Sequence, residues 1–104
     1  AAVPGVAIIL TTPGDGYRYK KYYNYNYVEA RDIILNLAAE DEVAVWDFHT
    51  IMGGPNSIYQ WYKEGLAQRD KLHLTKTGYE LQGKLFYEAF LSAYYDYLDQ
   101  IYAD

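Results

Sequence analysis

Cysteine is absent from this chain of 104 residues, and histidine and serine occur only twice each. The missing thiols exclude disulfide bonds and cysteine-ligated metals, although they do not fix the cellular compartment. Nine basic residues stand against fourteen acidic ones, and the net charge of −5 offers no footprint for nucleic acid or anionic lipid. The longest strongly apolar run, VAIIL at residues 6–10, is far too short to span a bilayer. We therefore expect no nucleic-acid partner and no membrane span.

Hydrophobic residues, by contrast, are plentiful and make up 51% of the chain, which argues against disorder. A chain of this length has the size of one small domain, and such a domain buries roughly two-thirds of the surface that its unfolded chain exposes. We therefore assign residues 1–104 to a single domain.

Strand and helix patterns alternate along the chain. The apolar runs at residues 6–11 and 42–48 predict two strands that are buried on both faces. A helical repeat over residues 27–40 lies between them, with Val28, Ile33, Ile34, Leu37 and Ala38 on one face. Residues 53–55, Gly-Gly-Pro, then break the chain, and a short helix is predicted over residues 57–65.

The C-terminal segment has the clearest helical period. Apolar residues recur at helical spacing after Thr77: Leu81, Leu85, Phe86, Ala89, Phe90, Ala93, Tyr94, Tyr97, Leu98 and Ile101. Thr77 with Glu80 fits a capping box, although Thr75 can serve as the N-cap instead. Such a helix is about 37 Å long.

The order strand, helix, strand, helix predicts an α/β fold with a parallel sheet. Two strands make a poor sheet, because parallel strands normally have neighbours and are covered on both faces. We therefore expect residues 1–104 to be the second half of a larger domain and to be incomplete alone.

A candidate site lies in QRDKLHLTKTGYELQG, residues 68–83, where His73 follows Asp70 by three residues and stands between two leucines. A nucleophilic serine needs a base, and that base needs a carboxylate that fixes its tautomer and stabilises the imidazolium. In a loop with this spacing, the carboxylate can reach one ring nitrogen while the other nitrogen faces a cleft. The spacing alone also fits a packed structural histidine.

Three segments together resemble one enzyme family. DKLHLTKTGYELQGKLFYEAF, residues 70–90, resembles the last sequence block of the SGNH (GDSL-type) hydrolases, in which Asp-x-x-His-Leu precedes Gly-Tyr and the final helix. VAVWDFHTIMGGPNSIYQWYKEGLAQRD, residues 43–70, resembles the preceding strand and the Met-Gly-Gly segment of bacterial members, which act as carbohydrate or peptidoglycan O-acetyl esterases. VAIILTTPGD, residues 6–15, resembles the strand that ends in a Pro-containing loop in the same fold.

The resemblance implies a flavodoxin-like SGNH domain, which is a three-layer α/β/α sandwich with a parallel sheet, and residues 1–104 would be its C-terminal portion. It implies that His73 is the general base and Asp70 its orienting acid in a serine esterase that hydrolyses acyl esters, chiefly O-acetyl esters. The substrate would be an acylated carbohydrate or peptidoglycan, and the location periplasmic or secreted. No cofactor and no metal are implied.

The chain departs from the family pattern in its nucleophile. The family's serine and its oxyanion-hole Gly and Asn would lie before Ala1, while Ser57 follows a turn and Ser92 lies within the last predicted helix. Neither serine stands in a Gly-Asp-Ser or Gly-x-Ser-x-Gly setting. We therefore expect the nucleophile and the oxyanion hole in a missing segment or in a companion polypeptide that carries the N-terminal half of the fold.

Residues 17–27, YRYKKYYNYNY, form a tyrosine-rich insertion that has no clear period and that the resemblance does not explain. Its tyrosines can stack on sugars, contact a partner protein, stack on single-stranded nucleic acid, or pack on their own domain. A rival hypothesis follows, in which the chain is a non-catalytic binding or assembly subunit that uses this surface.

Three other features favour structural roles. MGGPNS, residues 52–57, lacks the lysine of a phosphate-binding loop and predicts a turn before a helix. His49, which follows Asp47 at the end of a strand, is expected to be an ordinary loop histidine, because a metal site needs more ligands. Trp46 and Trp61 are expected in the core.

Overall fold

Two small sheets and four helices make up residues 5–103, the part of the chain that the computed structural model describes. The elements in chain order are β1 (Ile9–Thr11), β2 (Tyr17–Arg18), β3 (Tyr22–Tyr23), α1 (Asn26–Asp41), β4 (Ala44–Trp46), α2 (Phe48–Ile51), α3 (Ser57–Lys63) and α4 (Lys76–Tyr102). Within these residues, no helix is both long and apolar enough to cross a membrane.

The first sheet is a parallel pair formed by β1 and β4. Ile9 pairs with Ala44, and Thr11 pairs with Trp46. Parallel neighbours need a crossover connection, and α1 lies in the segment that joins them. The prediction of a mixed α/β fold with a parallel sheet is confirmed. Both strands are shorter than predicted, because each forms a ladder only over the three residues that face its partner.

The prediction that these strands are buried on both faces is wrong for the described residues. Val6, Ile9 and Val45 expose 55%, 43% and 38% of their surface. The physical reason is that each strand has a single neighbour in residues 5–103. Backbone groups on an unpaired strand edge remain available to another strand.

The core lies where β4, α2, α3 and the start of α4 meet. It consists of Trp46, Phe48, Met52, Ile58, Trp61, Ala67 and Leu74. The Trp46 and Phe48 rings stack at 5.1 Å, and the Trp61 indole N–H donates to the Met52 carbonyl over 2.9 Å. The prediction that both tryptophans belong to the core is confirmed.

Asp47 joins the end of β4 to three other elements. Its carboxylate is the N-cap of α2, where it accepts from the Thr50 amide, and it also accepts from the Thr12 hydroxyl over 2.9 Å. The Arg31 guanidinium of α1 lies 3.0 Å from the Asp47 carboxylate. Burial acts to raise the pKa of Asp47, but the hydrogen bonds from Thr50, Thr12 and Arg31 outweigh it, and the pKa lies below its usual 3.8.

The long C-terminal helix begins two residues earlier than the capping box predicts, at the alternative N-cap Thr75. Thr75 is the N-cap of α4, and its hydroxyl accepts from the Gly78 amide over 3.1 Å. The capping box of Thr77 with Glu80 is therefore wrong, because Thr77 already lies inside the helix. Leu81, Leu85, Phe86 and Ala89 pack against the core, whereas Phe90, Tyr94, Tyr97 and Ile101 are about half exposed. On α1, likewise, Ala38 is buried but Ile33 and Leu37 are exposed.

The tyrosine-rich segment forms an antiparallel β-hairpin, which its lack of period did not predict. Tyr17 pairs with Tyr23 across β2 and β3, and Tyr19 and Lys20 form the turn with φ angles of 53° and 64°. Two successive positive φ angles give the twist that two-residue hairpin turns favour. Residues 52–57 form a turn before α3, as predicted.

Candidate active site

The loop that carries Asp70 and His73 is closed by a small antiparallel bridge between Ala67 and Leu74. The Gln68 amide donates to the His73 carbonyl over 2.8 Å, and the Gln68 side chain donates to the Leu74 carbonyl over 3.0 Å. These bonds bring the two ends of the loop together. The tip of a short, closed loop therefore presents both candidate residues.

Asp70 and His73 are in direct contact. Nδ1 of His73 lies 2.6 Å from Oδ2 of Asp70. The other carboxylate oxygen, Oδ1, accepts from the backbone amides of Leu72 and His73 over 3.0 Å and 3.1 Å. Lys71, between the two candidates, has a φ of 53°, and this left-handed residue turns the chain so that the amides face the carboxylate. Three hydrogen bonds thus fix the orientation of the Asp70 carboxylate.

The electrostatics of the pair favour an ionised aspartate. Burial acts to raise the pKa of Asp70, but hydrogen bonds from the His73 ring and from the His73 and Leu72 amides outweigh it, and the pKa lies below its usual 3.8. The carboxylate then holds a proton on Nδ1 of His73, which leaves Nε2 as the basic nitrogen. The His73 side chain is 62% exposed. Among the described residues, Nε2 has no hydrogen-bond partner.

The start of α4 holds the base of this loop in place. The Thr75 amide donates to the Leu66 carbonyl over 3.0 Å, and the Thr75 hydroxyl donates to the Gly65 carbonyl over 2.8 Å. Gly78 lies so close to Leu66 that a Cβ at position 78 would stand 1.9 Å from the Leu66 carbonyl oxygen. Glycine at this position therefore allows the helix to meet the loop.

The tyrosine hairpin borders the same loop. The Tyr17 amide donates to the Lys71 carbonyl over 2.7 Å. The Lys71 ammonium lies 5.4 Å from the centre of the Tyr17 ring and 4.9 Å from that of Tyr62, which are cation–π distances. The hairpin is therefore joined to the residue between Asp70 and His73.

A second Asp–His pair is buried beneath the hairpin. Nε2 of His49 lies 3.2 Å from Oδ1 of Asp15, and His49 is only 1% exposed. The expectation of an ordinary loop histidine is wrong, because His49 lies within α2 and packs in the interior. Oδ2 of Asp15 accepts from the Ile58 amide over 3.1 Å, and the Tyr23 hydroxyl donates to Oδ1.

This second pair connects elements rather than offering a free base. Burial, together with the hydrogen bond to Asp15, raises the pKa of Tyr23 to about 12, so its hydroxyl remains a donor. Asp15 thereby ties β3, α2 and α3 to the loop after β1. Sequence analysis missed this contact, because Asp15 and His49 are 34 residues apart and no local pattern links them.

The structure does not bring a serine to His73 within the described residues. Ser57 is the first residue of α3 and its hydroxyl is buried without a hydrogen-bond partner in residues 5–103, while Ser92 lies on the exposed surface of α4. Within the same residues, no group of three histidine, aspartate or glutamate side chains is arranged to hold a metal ion. The described residues therefore bring Asp70 and His73 into contact without a serine beside them.

Comparisons with known proteins concern the fold. No family model matches the chain, and no curated protein matches its sequence. A solved structure of a peptidoglycan O-acetylesterase superposes with a TM-score of 0.81 over 88% of this chain, at 17% sequence identity. The matched region spans only 27% of that protein. At this level of identity the similarity establishes the fold alone, and the chain folds like a segment of a peptidoglycan O-acetylesterase.

Proposed function

We propose that this chain supplies the Asp–His pair of a serine esterase that hydrolyses acyl esters, chiefly the O-acetyl esters of carbohydrate or peptidoglycan. The observation that carries the proposal is the 2.6 Å contact between Nδ1 of His73 and Oδ2 of Asp70. This contact fixes the imidazole by one nitrogen and leaves the other nitrogen exposed. The fold similarity to a peptidoglycan O-acetylesterase supports the same reaction class.

The proposed reaction proceeds in two transfers. Nε2 of His73 accepts the proton of a serine hydroxyl as the serine oxygen attacks the ester carbonyl, and the resulting imidazolium then gives this proton to the departing sugar hydroxyl. Water next attacks the acetyl-serine, His73 accepts one of its protons and passes it to the departing serine oxygen, and the acetyl group leaves as acetic acid. Asp70 stays ionised throughout and stabilises the imidazolium. Amide and Asn donors would stabilise the oxyanion in each step.

The nucleophile and the oxyanion hole belong, in this proposal, to a companion polypeptide or segment that carries the N-terminal half of a three-layer α/β/α domain. The support is the exposed apolar surface of the parallel sheet, where Ile9 and Val45 are 43% and 38% exposed. A neighbouring strand would pair with the free edge, and added helices would cover the faces. A peptidoglycan substrate places the enzyme in the periplasm or outside the cell.

The test is the substitution His73→Ala in the complete enzyme, assayed by hydrolysis of p-nitrophenyl acetate. Loss of the base is expected to lower kcat at least about a thousandfold. Stability should hardly change, because the His73 side chain is largely exposed. Arg69→Ala is the matched control, since Arg69 is an exposed residue of the same loop outside the proposed pair. A folded His73→Ala enzyme with near-wild-type turnover would exclude His73 from the mechanism.

The rival function, a non-catalytic binding or assembly subunit, is favoured by a different observation. Tyr19 and Tyr25 of the hairpin segment are 79% and 70% exposed, which is a large aromatic surface. The two functions differ in what accompanies the chain. The esterase function requires a Gly-Asp-Ser segment in the companion polypeptide or earlier in the same gene, whereas the non-catalytic function does not.

A further inference from the structure

The tyrosines of the hairpin segment divide into two groups with different environments. Tyr17 and Tyr23 are partly buried and hold the hairpin down, through the Tyr17 bond to Asn56 over 3.1 Å and the Tyr23 bond to Asp15. Tyr19, Tyr22 and Tyr25 instead expose 79%, 62% and 70% of their surface. The first group anchors the hairpin, and in the second group Tyr25 contacts the Tyr23 ring edge-on, with ring centres 4.7 Å apart.

The exposed tyrosines surround a concave surface. It has a volume of about 370 Å³ and is lined by Arg18, Tyr19, Tyr22, Tyr23, Asn24, Tyr25 and Asn26. This volume lies in the range of small-molecule sites, about 300–1,000 Å³. We call this surface the tyrosine cleft.

The chemistry of the tyrosine cleft suits a neutral, hydroxyl-rich ligand. Aromatic rings offer flat apolar faces, and tyrosine hydroxyls and asparagine amides donate and accept hydrogen bonds. Oδ1 of Asn24 already accepts from the Asn26 amide over 3.1 Å, which leaves the Asn24 NH₂ group as a donor. The lining contains no carboxylate and a single cation, Arg18. A pyranose ring matches this surface, since one ring face carries C–H groups and its edge carries hydroxyls or acetamides.

The hairpin that carries the tyrosine cleft is fixed beside the proposed base. The Tyr17 amide is bonded to the carbonyl of Lys71, and Lys71 precedes His73 by two residues. At 3.8 Å between consecutive Cα atoms, the hairpin is anchored within about 8 Å of the His73 backbone.

We propose that the tyrosine cleft is a carbohydrate subsite that binds a neutral N-acetylhexosamine chain next to the ester presented to His73. The biological role of this subsite rests on the proposed esterase function. The binding of sugar is argued from the residues that line the cleft. Single-stranded nucleic acid is a poorer match for the cleft. The lining has one cation and the chain has a net charge of −5, so the cleft attracts few phosphates.

Binding of chitotetraose, the β-1,4-linked tetramer of N-acetylglucosamine, to the complete protein tests the proposal by isothermal titration calorimetry. Tyr22→Ala and Tyr19→Ala are each expected to weaken binding about tenfold, the usual size of effect when a central aromatic residue is truncated. Tyr22→Phe should retain most of the affinity, since the ring face remains. Tyr87→Ala is the matched control, because Tyr87 on α4 is 60% exposed, close to the 62% of Tyr22.

Three results of the binding measurements alone would overturn the proposal. These are no detectable chitotetraose binding by the wild-type protein, equal affinity in the hairpin variants and the wild type, and an equal loss of affinity in Tyr87→Ala. Release of a co-purifying polypeptide by Tyr22→Ala, with sugar affinity unchanged, would also overturn it and assign the cleft to a protein contact. The experiment measures binding and needs no turnover. A protein that binds the sugar without hydrolysing esters would therefore refute the esterase function but leave the carbohydrate subsite intact.

Discussion

Replacing Gly78 with alanine tests how α4 positions the loop of the candidate site. In most helices this change stabilises by up to about 1 kcal/mol, because alanine loses less backbone entropy on folding. At position 78 the new methyl carbon would lie 1.9 Å from the carbonyl oxygen of Leu66 and 3.1 Å from Cβ of Leu74. The nearest obstacle is backbone, which cannot rotate away as the end of a side chain can.

The expected cost follows from what must move. Overpacking typically costs 1–3 kcal/mol, and a shift of α4 also weakens the Thr75 cap, which contributes about 1 kcal/mol. We therefore expect Gly78→Ala to lower the free energy of unfolding by at least about 2 kcal/mol, a large part of the 5–15 kcal/mol of a typical domain. The loop with Asp70 and His73 would shift too, and a displacement of about 1 Å can cost a hundredfold in turnover.

Gly83→Ala on the same helix is the matched control. A methyl group there meets no atom of the described residues within 4 Å, so this variant should gain the ordinary helical stabilisation of up to about 1 kcal/mol. Urea unfolding of the complete protein, followed by far-UV circular dichroism, measures both variants against the wild type. The two changes are expected to have opposite signs. A Gly78→Ala protein as stable as Gly83→Ala would refute the close approach of α4 to Leu66.

The other predictions concern the pair, the acid limit of stability and the folding unit. Asp70→Asn should lower kcat about a hundredfold or more with little change in KM, because an amide misorients the imidazole; an unchanged rate would make Asp70 a surface charge. The pKa of Asp47 is lower in the folded protein than its value of 3.8 in the unfolded chain. The ionised carboxylate therefore stabilises the fold above pH 3.8, and this stabilisation is lost as the pH falls through the pKa of the folded protein. The free energy of unfolding of the wild type, measured in urea, should therefore fall more steeply below about pH 5 than that of Asp47→Asn. Parallel pH profiles of the two proteins would contradict this. Residues 1–104 expressed alone should associate or unfold without cooperativity, and a monomer in sedimentation with one sharp thermal transition would oppose the companion polypeptide.

The sequence by itself determined the parts of this protein that rest on local physics. The helical period after Thr77 and the apolar runs at residues 6–11 and 42–48 predicted α4 and the parallel pair, with errors in the capping box, the strand lengths and the burial of the strands. The turn before α3 followed from Gly53, Gly54 and Pro55, since these residues disfavour regular structure. The spacing of three between Asp70 and His73 predicted that the two side chains can meet, because a short loop limits how far they can separate.

Tertiary structure decided what depends on residues far apart in the chain. The hairpin of residues 17–23 has no apolar period, and it is held by hydrogen bonds to Lys71, Asn56 and Asp15, which all lie outside it. His49 became an interior residue because Asp15, 34 positions away, offers a buried carboxylate. Only the packed fold brings α4 against Leu66 and places the tyrosine hairpin beside the loop of His73. Periodicity reports which face of an element is apolar, whereas the partner of each face is set by long-range packing, and packing has no local signature.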